Sequence, residues 1–303
     1  MMTQWMRYCS LIVSGKGSAL DFSQMRVTFD IKKTQNETPN LAQIKIYNLA
    51  PDTENQIINE FTRVTLQAGY QDHYGVIFDG EIVQSKRGRE NGTDTFVEIS
   101  ASDGDSAYNN AIVNVTLAAG SSQADHINAA SKSMGISTGY TNSSGQKLPR
   151  GKVMYGHAKD VLRTSAQTNN QDWSIQDGQL QILSKVSLLP TQAVVLNSQS
   201  GLIGGAEQSI QGVLAKALLN PMLKIGAHVI INEQDVAVAK LKHQKEHKSG
   251  DTKDDDKLAI IAKDGSYKII GANFKGDTYG NDWYSEVICI DIYAAPPKAK
   301  AKK

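Results

Sequence analysis

The stretches Ile82 to Ile99 (IVQSKRGRENGTDTFVEI) and Ile270 to Val287 (IGANFKGDTYGNDWYSEV) decide the reading of this chain, because a shift of 188 residues lays one on the other. Ile82 falls on Ile270, Gly88 on Gly276, Gly92 on Gly280, Asp94 on Asp282, Phe96 on Tyr284, Glu98 on Glu286 and Ile99 on Val287. Self-similarity of this kind is sought before a fold is assigned, since it sets the number of structural units. Each stretch alternates apolar and polar residues around a Gly and Asn-rich turn, the pattern of a long antiparallel hairpin. Upstream the spacing slips, yet each half also carries a strand ending in Asn48-Leu49 or Asn220-Pro221 and then a Val-rich strand, Val64 to Leu66 or Val229 to Ile231. The economical interpretation is two similar antiparallel β-barrels in one chain, since a sheet of this size must hide its edges.

The rest of the sequence agrees with a mainly β protein. Ala42 to Tyr47, Arg63 to Gln67, Thr95 to Ser100 and Glu286 to Ile292 have the period-2 pattern of half-buried strands. Asn91-Gly92, Asp103-Gly104, Asp177-Gly178 and Asp264-Gly265 read as hairpin turns. The middle differs. Gln123 to Met134 places Ile127, Ala130 and Met134 on one helical face behind a Ser121-Ser122 cap, and His157 to Gln167 does the same with Val161, Leu162 and Ala166. Asp172 to Leu183 reads as a hairpin turning at Asp177-Gly178. The expected organisation is a first tube-like β-barrel over 1–105, an inserted α/β region over 106–199, a second barrel over 200–295 and a disordered basic tail over 296–303. Lys240 to Lys257 is charged with both signs and nearly free of apolar residues, as expected of a solvated hairpin tip that tolerates shortening.

Bulk properties narrow the function. With 32 Lys+Arg against 31 Asp+Glu the net charge is +1, so no global field holds nucleic acid or an anionic membrane. Cys9 and Cys289 lie inside apolar runs near opposite ends and read as core thiols of a reducing cytosol rather than a disulfide framework. Leu11-Ile12-Val13 is too short for a signal h-region, and no run of eighteen apolar residues suggests a membrane helix.

No constellation of side chains stands out as catalytic, cofactor-binding or metal-binding. His243, Glu246 and His247 have the wrong order for a zinc helix and sit in a charge run. Asp103 with Asp105, and Asp254 to Asp256, lack the spacing of a calcium loop. Gly15-Lys16-Gly17-Ser18 lacks the spacing of a phosphate loop and reads as a turn. Trp173 and Trp283 suit core or interface anchoring better than sugar stacking. No pair of carboxylates is singled out for glycoside hydrolysis.

Several segments carry a family likeness. Ile44 to Pro51 (IKIYNLAP), Leu66 to Tyr70 (LQAGY), Ile77 to Ile82 (IFDGEI) and Ser102 to Asn109 (SDGDSAYN) resemble the N-terminal part of baseplate hub proteins of Mu-like and other contractile-tailed phages. Gly201 to Gly205 (GLIGG), Leu218 to Pro221 (LLNP) and Asp277 to Trp283 (DTYGNDW) resemble the C-terminal part. The resemblance implies a non-enzymatic virion tail protein, made in the host cytoplasm, and related in architecture to the hub portion of VgrG proteins of type VI secretion. It further implies a homotrimer whose two barrels per chain form a pseudo-hexameric ring. That ring would join a hexameric tail tube or distal tail protein to a trimeric central spike, contact other baseplate proteins, and leave a channel for phage DNA that is not specifically bound. Two competing readings remain: a tail-associated peptidoglycan hydrolase or cell-wall-binding module centred on the middle region, and a free carbohydrate-binding β protein.

Overall fold

A computed structural model of the chain describes residues 6–15, 17–143, 145–209, 211–232, 236–237 and 265–292. The first part contains β1 (Arg7–Gly15), β2 (Ala19–Asp21), β3 (Val27–Thr34), β4 (Leu41–Tyr47), α1 (Pro51–Asn59), β5 (Phe61–Tyr70), β6 (His73–Glu90) and β7 (Asp94–Ser102). The middle contains α2 (Asp105–Asn110), β8 (Ile112–Leu117), α3 (Gln123–Met134), β9 (Ser137–Thr141), β10 (Lys152–His157), α4 (Ala158–Thr168), β11 (Gln171–Gln176) and β12 (Gln179–Ser184). The last part contains β13 (Val194–Leu196), β14 (Ala206–Gln208), β15 (Val213–Leu218), β16 (His228–Ile231), β17 (Val236–Ala237), β18 (Ser266–Asp277) and β19 (Trp283–Asp291).

The strands of both ends belong to one sheet, running β17-β14-β15-β19-β18-β3-β4-β7-β6-β5-β1-β2, with β16 pairing β18 and β13 pairing β16 off this path. Alternation decides which residues it buries: Val27, Phe29 and Ile31 of β3 and Trp283, Val287 and Cys289 of β19 turn inward, their neighbours outward. The inward residues form one hydrophobic cluster reaching from Leu11 to Cys289, so the two ends of the chain share a core. Among the described strands no pairing closes a barrel; the sheet path is open. The edge of β3 that closure of a first barrel would need is instead paired antiparallel with β18, from Thr34 opposite Gly271 to Thr28 opposite Asp277. Satisfying an edge with a strand of the other half removes the liability that closure was expected to remove.

The duplication is visible in the pairing. The run β3-β4-β7-β6-β5 and the run β14-β15-β19-β18-β16 have the same order, and every neighbouring pair in both is antiparallel. Each long hairpin carries a β-bulge at the corresponding place, between Ile82 and Gln84 and between Ile269 and Gly271. The register refines the sequence match. Phe96 corresponds to Tyr284, but Gly88, opposite Phe96, corresponds to Lys275, opposite Tyr284, and not to Gly276. The first strand of the hairpin is thus displaced by one residue, because the second hairpin has a longer turn.

The middle region has its own apolar cluster, including Val113, Ile127, Leu162, Trp173, Ile175 and Leu180. Helix α3 begins where expected: Ser122 Oγ accepts the Asp125 amide, Asp125 accepts the Ser122 amide at 2.7 Å, and Gly135 ends the helix at φ +67°. Helix α4 and the β11–β12 hairpin also lie within a residue or two of their sequence-derived limits. Helices α1 and α2 lie outside the elements expected from the sequence. Helix α1 starts with Pro51 at its first turn followed by Asp52 and Glu54, a start signal present in the sequence. Helix α2 starts at Asp103-Gly104, which leads out of β7 into this helix rather than into a returning strand.

A buried polar joint fastens the middle region to the sheet. The carboxylate of Asp103, fully buried, accepts the amides of Asp177 and Gly178 at 2.6 and 2.8 Å, capping the turn of the β11–β12 hairpin. Asn40, also buried, donates to the Ile175 carbonyl at 2.9 Å and to Gln176 Oε1 at 3.0 Å, and accepts from the Thr34 amide. Lys33 pairs with Asp177. Gly104, at φ +69°, lets the backbone pass against Ile175, whose side chain a β-carbon would strike. A second fastening is Lys268 of β18, buried, which donates to the carbonyls of Ser184 and Lys185; burial lowers its pKa to about 8.

The Lys240 to Lys257 segment, the 296–303 tail and Asp264 lie outside the described residues. Burial of Asp103 raises its pKa from 3.8 to about 6, the turn amides opposing but not cancelling the effect. The folded protein then binds more protons than the unfolded chain between those values, so this group's contribution to stability is present below pH 3.8 and is lost as pH rises towards 6. Asp103→Asn is expected to carry a pH-independent penalty for mismatched turn amides and to remove that slope. The difference in unfolding free energy between variant and wild type, from denaturant titrations at pH 4 and pH 7, should change by about 2 kcal/mol in the variant's favour.

Candidate functional site

The outward face of the shared sheet is the most extended surface the fold builds, and cross-strand register determines which side chains meet on it. In one row Tyr284, Lys275, Asp30, Gln43, Ser100 and Gln84 stand side by side. In the next, Thr28, Lys45, Glu98 and Lys86 do so, and on the other side Lys216, Glu286, Asn273 and Lys32. Lys86 lies 3.3 Å from Glu98, Lys216 lies 3.4 Å from Glu286, and Lys275 lies 3.6 Å from Asp282. Tyr284 and Asp282 together hold the Lys275 ammonium above the ordinary lysine value. Lys45 also sits over the Phe96 ring and Lys216 over the Tyr284 ring, at 4.6 and 3.4 Å from the centroids. These rows are polar and mixed in sign, and Lys45, Lys86, Lys216 and Lys275 each meet an acid or a ring. Such a face offers a passing polyanion no contiguous row of unpaired cations.

The residues weighed for chemistry are dispersed. Asp103 caps a turn, and Asp105 opens α2, where it accepts from Asn109. Among the described residues no group of His, Cys, Asp and Glu is placed to hold a metal ion. His243, Glu246, His247, Asp254 to Asp256 and Lys16 lie outside the described residues. Gly15, Gly17 and Ser18 form the turn between β1 and β2. Trp173 is buried in the middle cluster, and Trp283 is buried where β19 meets β5, donating to the Gly69 carbonyl at 3.1 Å. Cys289 is buried and Cys9 half-buried; both are free, and burial pushes both thiols up to about 12. An open cleft of about 370 Å³ is lined by His73, Asn220, Met222 and residues of the 192–195 stretch with Asn197, Gln199 and Ser200, and His73 Nε2 is hydrogen-bonded to Asn220 Oδ1 at 2.9 Å. Among the described residues no helix is long and apolar enough to cross a membrane.

A duplicated antiparallel sheet of this kind defines a class. A tail protein from Neisseria meningitidis shares the fold at a TM-score of 0.57 and 8% identity, over 95% of this chain and 97% of that one. A 43 kDa tail protein of prophage MuSo2 from Shewanella oneidensis matches at 0.56 and 8%, over 93% and 97%. An Escherichia coli component of the type VI secretion system, described as structurally similar to T4 bacteriophage tail proteins gp27 and gp5, matches at 0.54 and 11%, over 95% and 79%. No curated protein matches the sequence. Residues 9–234 match the family model described as "Baseplate hub gp41", and the chain belongs to that family of phage baseplate hub proteins.

The sequence could not assign residues to the outward face, because Lys45, Glu98, Lys216 and Glu286 become neighbours only through strand pairing. Ion pairs whose lysine reaches into solvent, as Lys86 does, should stabilise little. Glu98→Gln is expected to lower the unfolding free energy by about 0.2–1 kcal/mol. A loss of several kcal/mol in a denaturant titration would show that the face is organised around this pair.

Proposed function

We propose that the protein is a structural, non-enzymatic hub of the phage baseplate, with tube-like units over about 1–105 and 200–295 flanking the 106–199 region. Three copies form a pseudo-hexameric adaptor between a hexameric tail tube and a trimeric spike, and DNA passes along the polar sheet face without being gripped. The observation carrying this reading is the duplicated five-strand run joined edge to edge by β3 and β18. One chain thereby supplies two equivalent positions, and three chains supply six. The family assignment supports the baseplate location, and the paired charges of the outward face support a passive conduit.

Electron microscopy of purified tails is expected to show three copies around an axis. The isolated protein should bind duplex DNA only weakly, and incubation with cell-wall material should release no soluble fragments. One copy per tail, or submicromolar DNA binding that vanishes with salt, would overturn the adaptor and conduit. Release of fragments would favour the hydrolase.

A further inference from the structure

We infer that the outer edge of β6, from Lys86 to Arg89, pairs antiparallel with β14 and Ser209 of a second copy of this chain. The inference rests on the three-copy reading above and assigns its interface. Within one chain, β18 uses its outer half to pair with β3 of the other unit. In the duplicated run β18 corresponds to β6 and β3 to β14, so the equivalent seam is β6 with β14. The two cannot meet in this way within one chain, because the β3–β18 seam already sets the units side by side with β6 and β14 on opposite sides of it.

The state of the β6 edge fits an absent partner. Pairing with β5 ends at Glu81, and among the described residues no strand lies beside the rest of β6 on the side away from β7; helix α1 approaches there, with Arg87 donating to Asn55 Oδ1 and lying 3.9 Å from Glu54, but no backbone ladder is formed. The bulge residue Val83 and its neighbours Gln84, Lys86, Arg87 and Arg89 are exposed, whereas Gly271, Ala272 and Phe274, at the matching place on β18, are buried beneath β3. Charged side chains along an edge protect it from indiscriminate pairing until the right strand arrives.

Correspondence also sets the register. Asp30 of β3 faces Lys275 of β18, Asp30 corresponds to Glu207, and Lys275 corresponds to Gly88. Glu207 of one copy therefore lies opposite Gly88 of the next, with Lys86 close on the same face; Lys86 faces Ser209, Arg87 faces Gln208 and Arg89 faces Ala206. The acid of β14 then meets a stretch that carries Lys86, Arg87 and Arg89. In the single chain this side of β14 is held by β17, a strand of two residues paired in parallel, which the longer antiparallel partner displaces.

Tails assembled under reducing conditions with Lys86→Cys and Ser209→Cys in the same chain, then oxidised, should give bands of two and three linked chains on a denaturing gel. Arg87→Cys with Gln208→Cys, on the opposite face, should do the same and covers the case in which the first pair fails to assemble. The same-face pair Lys86→Cys with Glu207→Cys, out of register, and each single substitution should stay at one chain length. Three copies per tail without linkage in either matched pair overturns the seam and leaves the hub reading standing; a copy number other than three overturns both.

Discussion

Backbone amides and carbonyls along a strand edge must find partners, and the pairing of β3 with β18 meets that requirement for both halves of this protein at once. Because the contact is a hydrogen-bonded ladder rather than a loose apposition, it carries register from one half into the other. Charged rows continue across it, Lys275 beside Asp30, and on the inner side Phe274 packs into the same core as Phe29 and Ile31. Fully burying one such side chain contributes about 1.5–3 kcal/mol, so the seam is held by its core face as well as by its ladder.

The middle region depends on that frame through polar contacts. Asn40 and Asp103 lie at the end of the β4–β7 pair, and both are buried with their hydrogen bonds directed at the β11–β12 hairpin. A buried carboxylate held by two turn amides is directional and intolerant of displacement, which an apolar contact of the same size is not. The hairpin is therefore oriented, not merely attached. Lys268 adds a constraint from the other half, so the middle region is tied to strands on both sides of the seam.

A hub needs rigidity and repetition more than chemistry. The outward face carries short-range charge pairs across its strands, Lys86 with Glu98 and Lys216 with Glu286. The duplicated runs have diverged where their surroundings differ: β5 is covered by antiparallel β1, whereas β16 is covered by parallel β13. The order of five strands and the bulge are common to both runs.

Much of this was legible in the sequence. Period-2 alternation located β4, β5, β7 and β19; the Ser122 cap and the apolar spacing located α3; and the recurrence of Gly, Asp and apolar residues around two hairpins announced the duplication, all from local rules that need no tertiary partner. Helix α1 has a start signal in Pro51 and its acidic first turn. Barrel closure, which the described sheet does not show, was not legible for a definite reason: a strand's sequence shows that its edge needs a partner but not which strand supplies it. Whether β3 closes on its own half or pairs with β18 depends on residues more than two hundred positions away. The same holds for Asp103, which reads as one more Asp-Gly turn until the fold brings Asp177 and Gly178 to it, and for the one-residue displacement in the second hairpin. Sequence determined the elements and their repetition; tertiary structure alone decided the partners, because hydrogen-bond partners across a sheet are a property of the assembled backbone.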